Sequence, residues 1–116
     1  MSLTNLDRLE HMLEAAQRAQ RMAHGESRQS LENDIKLALA LVKCIEIIGE
    51  AAAKLPREYR EQNSEMPWSK MIGMRNVLIH LYFTIDYDLV WDAVTNDLPL
   101  LINQLEELIA SESKDA

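Results

Sequence analysis

The chain reads as an all-α protein, an antiparallel four- to five-helix bundle. Three observations predict it. Of its 116 residues, 47% are apolar but only 5% aromatic, with three Gly and three Pro. That composition supplies a core but argues against a sandwich or barrel. Between residues 30 and 55, Leu37, Leu41, Cys44, Ile48, Ala51 and Leu55 recur at alternating spacings of four and three, which is one stripe of a helix. Val90, Val94, Leu98, Leu101, Leu105 and Leu108 repeat the pattern near the C-terminus. The length suits one helical domain, 1–116.

The first helix runs from about Asn5 to Met22, with Leu6, Leu9, Leu13, Ala16 and Ala19 on its apolar face. "HGES" (24–27) breaks it; Gly25 stops one helix, and Ser27 or Ser30 can cap the next. The second helix spans roughly 30–55. Beside its first stripe lies another, Ala38, Val42, Ile45, Gly49 and Ala52. So wide an apolar surface belongs to a central helix packed on more than one side. Such a helix can also face a second copy, so a homodimer is expected. Lys36, Lys43, Glu46, Glu50 and Lys54 form its polar strip.

Pro56 stops this helix or opens a short one through "REYREQ". "NSEMP" (63–67) reads as a loop, and Pro67 suits the first turn of a third helix reaching about residue 82. "FTID" then breaks the pattern, and Thr84 or, as the stronger candidate, Asp86 caps a last helix reaching about Ala110. Pro99 removes one backbone donor from that helix, which predicts a kink near Thr95. The tail "SESKDA" is expected to fray.

The net charge of −7 argues against a general nucleic-acid binder, but its distribution is uneven. Residues 1–53 carry six Lys/Arg and eight Asp/Glu, and residues 76–116 carry one and eight. Residues 54–75 carry five and three, a local charge of +2. The one net-positive segment thus holds Lys54, Lys70 and Arg75, which suits a local anion site. The lone Cys44 allows no internal disulfide and reads as a buried, inert thiol in a reducing cytosol. No apolar run approaches the ~20 residues of a membrane span. The opening "MSLTNLDRLE" lacks the regions of a signal peptide, so a cytoplasmic protein is expected.

One stretch resists a purely structural reading. "GMRNVLIHLYFTID" (73–86) places Arg75, Asn76, His80 and Tyr82 in an otherwise apolar helix. Wound at about 100° per residue, Met71, Met74, Leu78 and Leu81 form a core stripe, and Ser69, Gly73, Asn76 and His80 a polar one. Asn76 and His80, four apart, can touch. Arg75 and His80 lie roughly 140° apart around the axis and ~7.5 Å along it, so a long Arg side chain can converge with His80 on one ligand. Arg offers a planar fork for phosphate, and His moves protons near neutral pH. Such a set can cleave RNA without a metal, His80 handling a proton and Arg75 stabilising the phosphorane. Gly73 leaves room on the polar stripe for close approach.

Plainer readings stand beside this one. His80 at a helix end can cap a carbonyl, and Arg75 can serve a bundle ion pair. Asn76 can bond to backbone and Tyr82 can pack half-buried. Glu50 can orient His80 or Arg75 across the bundle, or pair with Lys54 at i,i+4 for only ~0.3–0.5 kcal/mol. Trp68 and Trp91 read as core or interface residues. Asp7, Glu10, His11 and Glu14 cluster on the first helix, but Glu46 and Glu50 on the second have no His partner, so no metal site is expected.

The motif also carries a resemblance. "RNVLIHLY" fits an Arg-x4-His-x-Tyr pattern with Asn directly after the Arg. With "IGEAAAKLP" and "PWSKMIGM" before it and "FTIDYDLVW" after it, residues 31–109 resemble the HepT-like toxins of the HEPN superfamily. The resemblance implies an all-α homodimer whose Arg–His helices line a shared cleft. It implies a metal-independent endoribonuclease with no cofactor, the toxin of a toxin–antitoxin pair. The expected partner is a minimal nucleotidyltransferase antitoxin that adenylylates the motif tyrosine, here Tyr82. On this resemblance Arg75 and His80 are catalytic and Asn76 supports them, with Glu50 a further candidate. Lys54 and Lys70 are the expected phosphate or RNA contacts.

A different class of function is a non-catalytic interaction module that binds the nucleotidyltransferase and is modified by it. A weaker reading is a phosphate- or nucleotide-binding regulator using Arg75 and Lys54.

Overall fold

The computed structural model describes residues 3–80 and 84–114, without the side chains of 77–80 and 114. The described residues form helices and no strand. Helix α1 (Asn5–Ala23) begins at a reciprocal cap: Thr4 Oγ1 accepts from the Asp7 amide and Asp7 Oδ2 accepts from the Thr4 amide, each at 3.0 Å. Two amides that a helix start leaves unpaired are thereby satisfied. The backbone bond to Thr4 holds the Asp7 carboxyl below its ordinary value, because it favours the ionised form. The apolar face of α1 buries Leu9, Met12, Ala15, Ala16 and Ala19, while Leu6 and Leu13 lie at its half-buried edge.

The helix expected over 30–55 is two helices. Gly25, at φ 79°, makes the turn after α1, a conformation that costs a residue without Cβ little. Ser27 and Ser30 then cap reciprocally at the start of α2 (Arg28–Asn33). At Asp34 the backbone leaves the helical region, and Asp34 Oδ1 accepts from the amides of Lys36 and Leu37 at 3.1 and 3.3 Å. A short carboxylate offers the backbone this alternative, so Asp34 ends α2 and caps α3 (Ile35–Lys54).

Helix α3 is the centre of the bundle. It packs against α1 and α5, and α1 packs in turn on the last helix. Both apolar seams are used: Leu41, Cys44, Ile48 and Ala51 of one and Ala38, Ile45, Gly49 and Ala52 of the other are buried. Cys44 is 3% exposed, and burial raises its thiol above the ordinary range, in keeping with an inert residue.

Pro56 precedes the short α4 (Arg57–Gln62), whose start has no side-chain cap, and a turn leads to α5 (Trp68–His80). Trp68 is 6% exposed, and its indole Nε1 donates to the Asn63 carbonyl at 2.9 Å. This is the core role expected of it, with its polar edge satisfied. Asp86 takes the expected cap, its Oδ1 accepting from the Leu89 amide at 3.0 Å at the start of α6 (Tyr87–Asp92). Helix α6 continues through a π-helical turn, Ala93–Asp97, into α7 (Leu98–Lys114). There the Leu98 amide reaches back to the Ala93 carbonyl. Pro99 has no amide proton, and its ring would crowd the Thr95 carbonyl in a regular helix. The irregularity predicted near Thr95 is thus a widened turn. The tail does not fray at Ala110: α7 runs through Lys114. The Tyr59 hydroxyl of α4 donates to Glu112 Oε1 at 2.8 Å and fastens the last turn. Burial and that carboxylate push the Tyr59 phenol well above its ordinary range.

The four long helical runs expected are therefore α1, α3, α5 and the α6–α7 rod, joined by short α2 and α4. No helix among the described residues is long and apolar enough to cross a membrane.

Candidate functional site

Arg75 stands where α5 crosses α3, and Gly49 decides how close that crossing is. A Cβ at Gly49 would lie 2.4 Å from Arg75 Cβ and 2.9 Å from the Met71 carbonyl oxygen. Real Cβ atoms do not approach so closely, so any other residue at 49 would push α5 off α3. The absent side chain lets the backbone of α5 settle against α3 and seats the stem of Arg75 in the contact. Glycine inside a helix costs roughly 0.5–1 kcal/mol relative to Ala, and here close packing is its return. The "IGEA" segment is thus a seat for the arginine. Sequence reading placed Gly49 in the apolar seam but missed this role. The available signal was a glycine in mid-helix, which ordinarily has a packing or functional reason.

The head of Arg75 runs outward from that seat. Arg75 is half-buried, Asn76 is exposed, and Asn76 Oδ1 accepts from Arg75 Nε at 3.2 Å and from Nη2 at 2.8 Å. A guanidinium only donates, so the amide oxygen must face it and the amide nitrogen is left to donate elsewhere. Two of the five guanidinium N–H groups are engaged this way, and three can still meet an anion. Asn76 was expected to support Arg75 and His80; in the described geometry it orients Arg75, and any contact with the His80 side chain lies outside the described residues. The alternative of a bundle ion pair is not what forms: among the described residues Arg75 meets no carboxylate within salt-bridge distance. The arrangement is an apolar stem under a charged head at the surface.

His80 is the last residue of α5, and its side chain lies outside the described residues, as does the whole of Tyr82. The polar stripe expected on this helix holds as far as it is described, with Ser69, Gly73 and Asn76 exposed. Nothing lies within 4 Å of a Cβ built on Gly73. Met71 is buried and Met74 half-buried on the core side.

The remaining candidates separate. Glu50 follows Gly49 on α3 and is exposed; among the described residues it forms no ion pair with either Lys54 or Arg75. Lys54, in the last turn of α3, is also exposed. Lys70 is committed: its Nζ meets Asp97 Oδ1 at 2.7 Å, and that carboxylate raises the lysine above its ordinary value. This pair ties α5 to the π-helical turn, so a phosphate at Lys70 competes with Asp97. On α1, Asp7 is spent in its cap, and no group of three His, Cys, Asp or Glu among the described residues is placed to hold a metal ion.

The family model described as Ribonuclease HepT-like matches residues 12–108, which include α3, Arg75 and the first part of the last helix. The chain belongs to the HepT-like ribonuclease family. A protein of Caldanaerobacter subterraneus subsp. tengcongensis named "Putative RNase" is 38% identical over 104 residues, covering 90% of this chain and 93% of that one. The "Probable ribonuclease HepT" of Thermococcus cleftensis is 32% identical over 108 residues, 93% of this chain and 98% of the relative. A further "Putative RNase", from Methanocaldococcus jannaschii, is 40% identical over 74 residues, 64% of this chain and 68% of its own. No solved structure matches the chain. For this HepT-like chain, the resemblance seen in "RNVLIHLY" and its flanks is therefore a family relation, and the all-α bundle is the fold that goes with it.

Proposed function

We propose that this HepT-like protein is a metal-independent endoribonuclease, the toxin of a toxin–antitoxin pair. The observation that carries the reading is the seating of Arg75: its stem is held against Gly49 and its head is turned outward by Asn76. Three of its N–H groups are left over by the bonds to Asn76, five residues before His80 on the same helix. The relatives named as ribonucleases support the substrate class.

In this reading the ribose 2′-oxygen attacks the adjacent phosphorus and the bond to the 5′-oxygen breaks. The products are a 2′,3′-cyclic phosphate and a free 5′-hydroxyl. His80 takes the 2′-hydroxyl proton or supplies one to the leaving oxygen, work suited to a group that titrates near neutrality. Arg75 holds the phosphorane oxygens, where negative charge builds up. Asn76 keeps the guanidinium from swinging away. Glu50 and Lys54, exposed on the neighbouring helix, are the next groups an RNA strand would meet.

The same reading makes the active form a homodimer. The apolar residues of α5, Met71, Ile72, Met74, Val77, Leu78 and Ile79, spread around more than half of its axis, leaving only the polar stripe, whereas its principal packing partner among the described residues is α3. So wide an apolar surface asks for burial on more than one side. Tyr82, two residues beyond His80, is the proposed target of adenylylation by a nucleotidyltransferase antitoxin. Adding a nucleotide beside the catalytic histidine would block the strand from Arg75.

The test is cleavage of end-labelled RNA in EDTA by wild type and by His80→Ala, with intact mass confirming unmodified Tyr82. Cleavage by wild type alone is the expected result. Equal cleavage by both would assign the activity to another residue or a contaminant. Silence from both, with tight binding to the nucleotidyltransferase, would favour the interaction module.

A further inference from the structure

A second basic site lies at the other end of α5, and it is not part of the Arg75 constellation. A surface cleft of about 410 Å³ opens between α4 and the start of α5, lined by Arg57, Arg60, Ser64, Trp68, Ser69 and Lys70, with Glu61 also on its wall. Its volume is within the range of roughly 300–1,000 Å³ typical of small-ligand sites. The cleft falls inside 54–75, the net-positive segment of an otherwise acidic chain.

Three features of the cleft suit a phosphate group. The two arginines are one turn of α4 apart and present planar forks that match phosphate oxygens. Arg60 Nε is buried and has no acceptor among the described protein atoms. Buried donors are seldom left unpaired, so the protein does not fully satisfy this guanidinium; its Nε is closed to solvent, and the outer nitrogens of the fork are the ones that can meet a ligand in the cleft. The third feature is the start of α5. The residue before it is Pro67, whose side chain cannot accept a hydrogen bond, so the first-turn amides of Ser69 and Lys70 have no capping partner among the described residues and carry the positive end of the helix dipole.

Two groups oppose an anion. Glu61 is on the wall, and Asp97 already neutralises Lys70. The recognition therefore rests on Arg57 and Arg60, which meet no carboxylate within salt-bridge distance among the described residues.

The geometry points to a phosphate-binding site in the α4–α5 cleft, held by Arg57, Arg60 and the first amides of α5. In an RNA enzyme its ligand is a backbone phosphodiester away from the scissile one, so the cleft extends the strand path along α5. That source of the phosphate rests on the ribonuclease reading; the site itself does not.

The test uses binding alone. Inorganic phosphate is titrated into 15N-labelled wild-type protein, and a 2′-O-methyl oligonucleotide, which cannot be cleaved, is titrated by fluorescence anisotropy into wild type, Arg57→Gln, Arg60→Gln and Arg75→Ala. Phosphate is expected to move the Ser69 and Lys70 amide signals in wild type. Each Gln variant should weaken oligonucleotide binding about tenfold and lower the slope of log affinity against log salt by about 0.7. Phosphate shifts without any effect of the Gln variants on oligonucleotide affinity would keep the site and assign it to free phosphate or a nucleotide. Unmoved Ser69 and Lys70 signals together with unchanged oligonucleotide affinity would overturn it. Arg57 is exposed, so its variant keeps the test valid if Arg60→Gln unfolds. Inorganic phosphate titrated into 15N-labelled Arg75→Ala should move the same Ser69 and Lys70 signals as in wild type, which separates this site from the catalytic one.

Discussion

Helix α5 has two sides that meet different surroundings, and its neighbourhood holds a glycine on each. Toward α3, Arg75 and Met71 press against Gly49 so closely that one added carbon would lie 2.4 Å from Arg75 Cβ. Toward solvent, Gly73 has open space around it and Asn76 is exposed. The two glycines look alike in the sequence, each in mid-helix beside a methionine or an isoleucine. What separates them is what stands opposite. The contrast shows how the protein holds a charged side chain steady: the stem is fixed from the inside by backbone contact, and the head is fixed from the outside by one amide.

Substitutions at four positions test that contrast. The largest effect is expected on the chemistry: Arg75→Ala should cut RNA cleavage by about a hundredfold or more while the fold survives, as read by gel assay beside circular dichroism. Unaltered cleavage would mean that the careful seating of this residue serves packing. Next comes Gly49→Ala, which should destabilise the protein by about 1–3 kcal/mol in urea melts, because the clash involves a Cβ and a backbone carbonyl that cannot swing aside. It should also slow cleavage, although it removes no reacting group. A melt unchanged from wild type would mean that α5 moves off α3 without cost.

Asn76→Ala should cost less than about 1.5 kcal/mol of stability, since the bond is at the surface, but should weaken cleavage by freeing the guanidinium. Asn76→Asp sharpens the result: the carboxylate would grip Arg75 more firmly and repel phosphate, so its activity should fall below that of the Ala variant. The smallest effect belongs to Gly73→Ala. In open space the added methyl should stabilise the helix by roughly 0.5–1 kcal/mol. If cleavage then falls while stability rises, an RNA strand approaches the backbone at Gly73. If both hold, the gap on that stripe is incidental.

A fifth expectation concerns Cys44 on α3. Its burial and raised thiol predict very slow labelling by iodoacetamide at pH 8 in the native state and fast labelling in urea. Fast native labelling would mean that the α1–α3 packing opens readily.

Much of this was legible along the chain. The two seams of α3, the core stripe of the last helix, the Asp86 cap and the irregularity caused by Pro99 follow from spacing and from what each residue does to a backbone. Other features were not. Asp34 splits a helix that periodicity alone would not divide, because the apolar stripe begins only at Leu37, beyond the break, and carries no mark of it. The end of α7 extends because Tyr59, more than fifty residues away in sequence, reaches Glu112. Lys70 reads as a free cation until Asp97 of the π-helical turn is found beside it.

The site divides in the same way. Which residues could do phosphate chemistry was determined by the sequence itself, since an arginine, an asparagine and a histidine at these spacings fall on one helix, with a tyrosine two residues on in the chain, whatever surrounds them. How Arg75 is held was decided only by tertiary structure. Its stem rests on a residue in another helix whose contribution is the side chain it lacks, and only the distance to a neighbour turns that absence into a seat for Arg75.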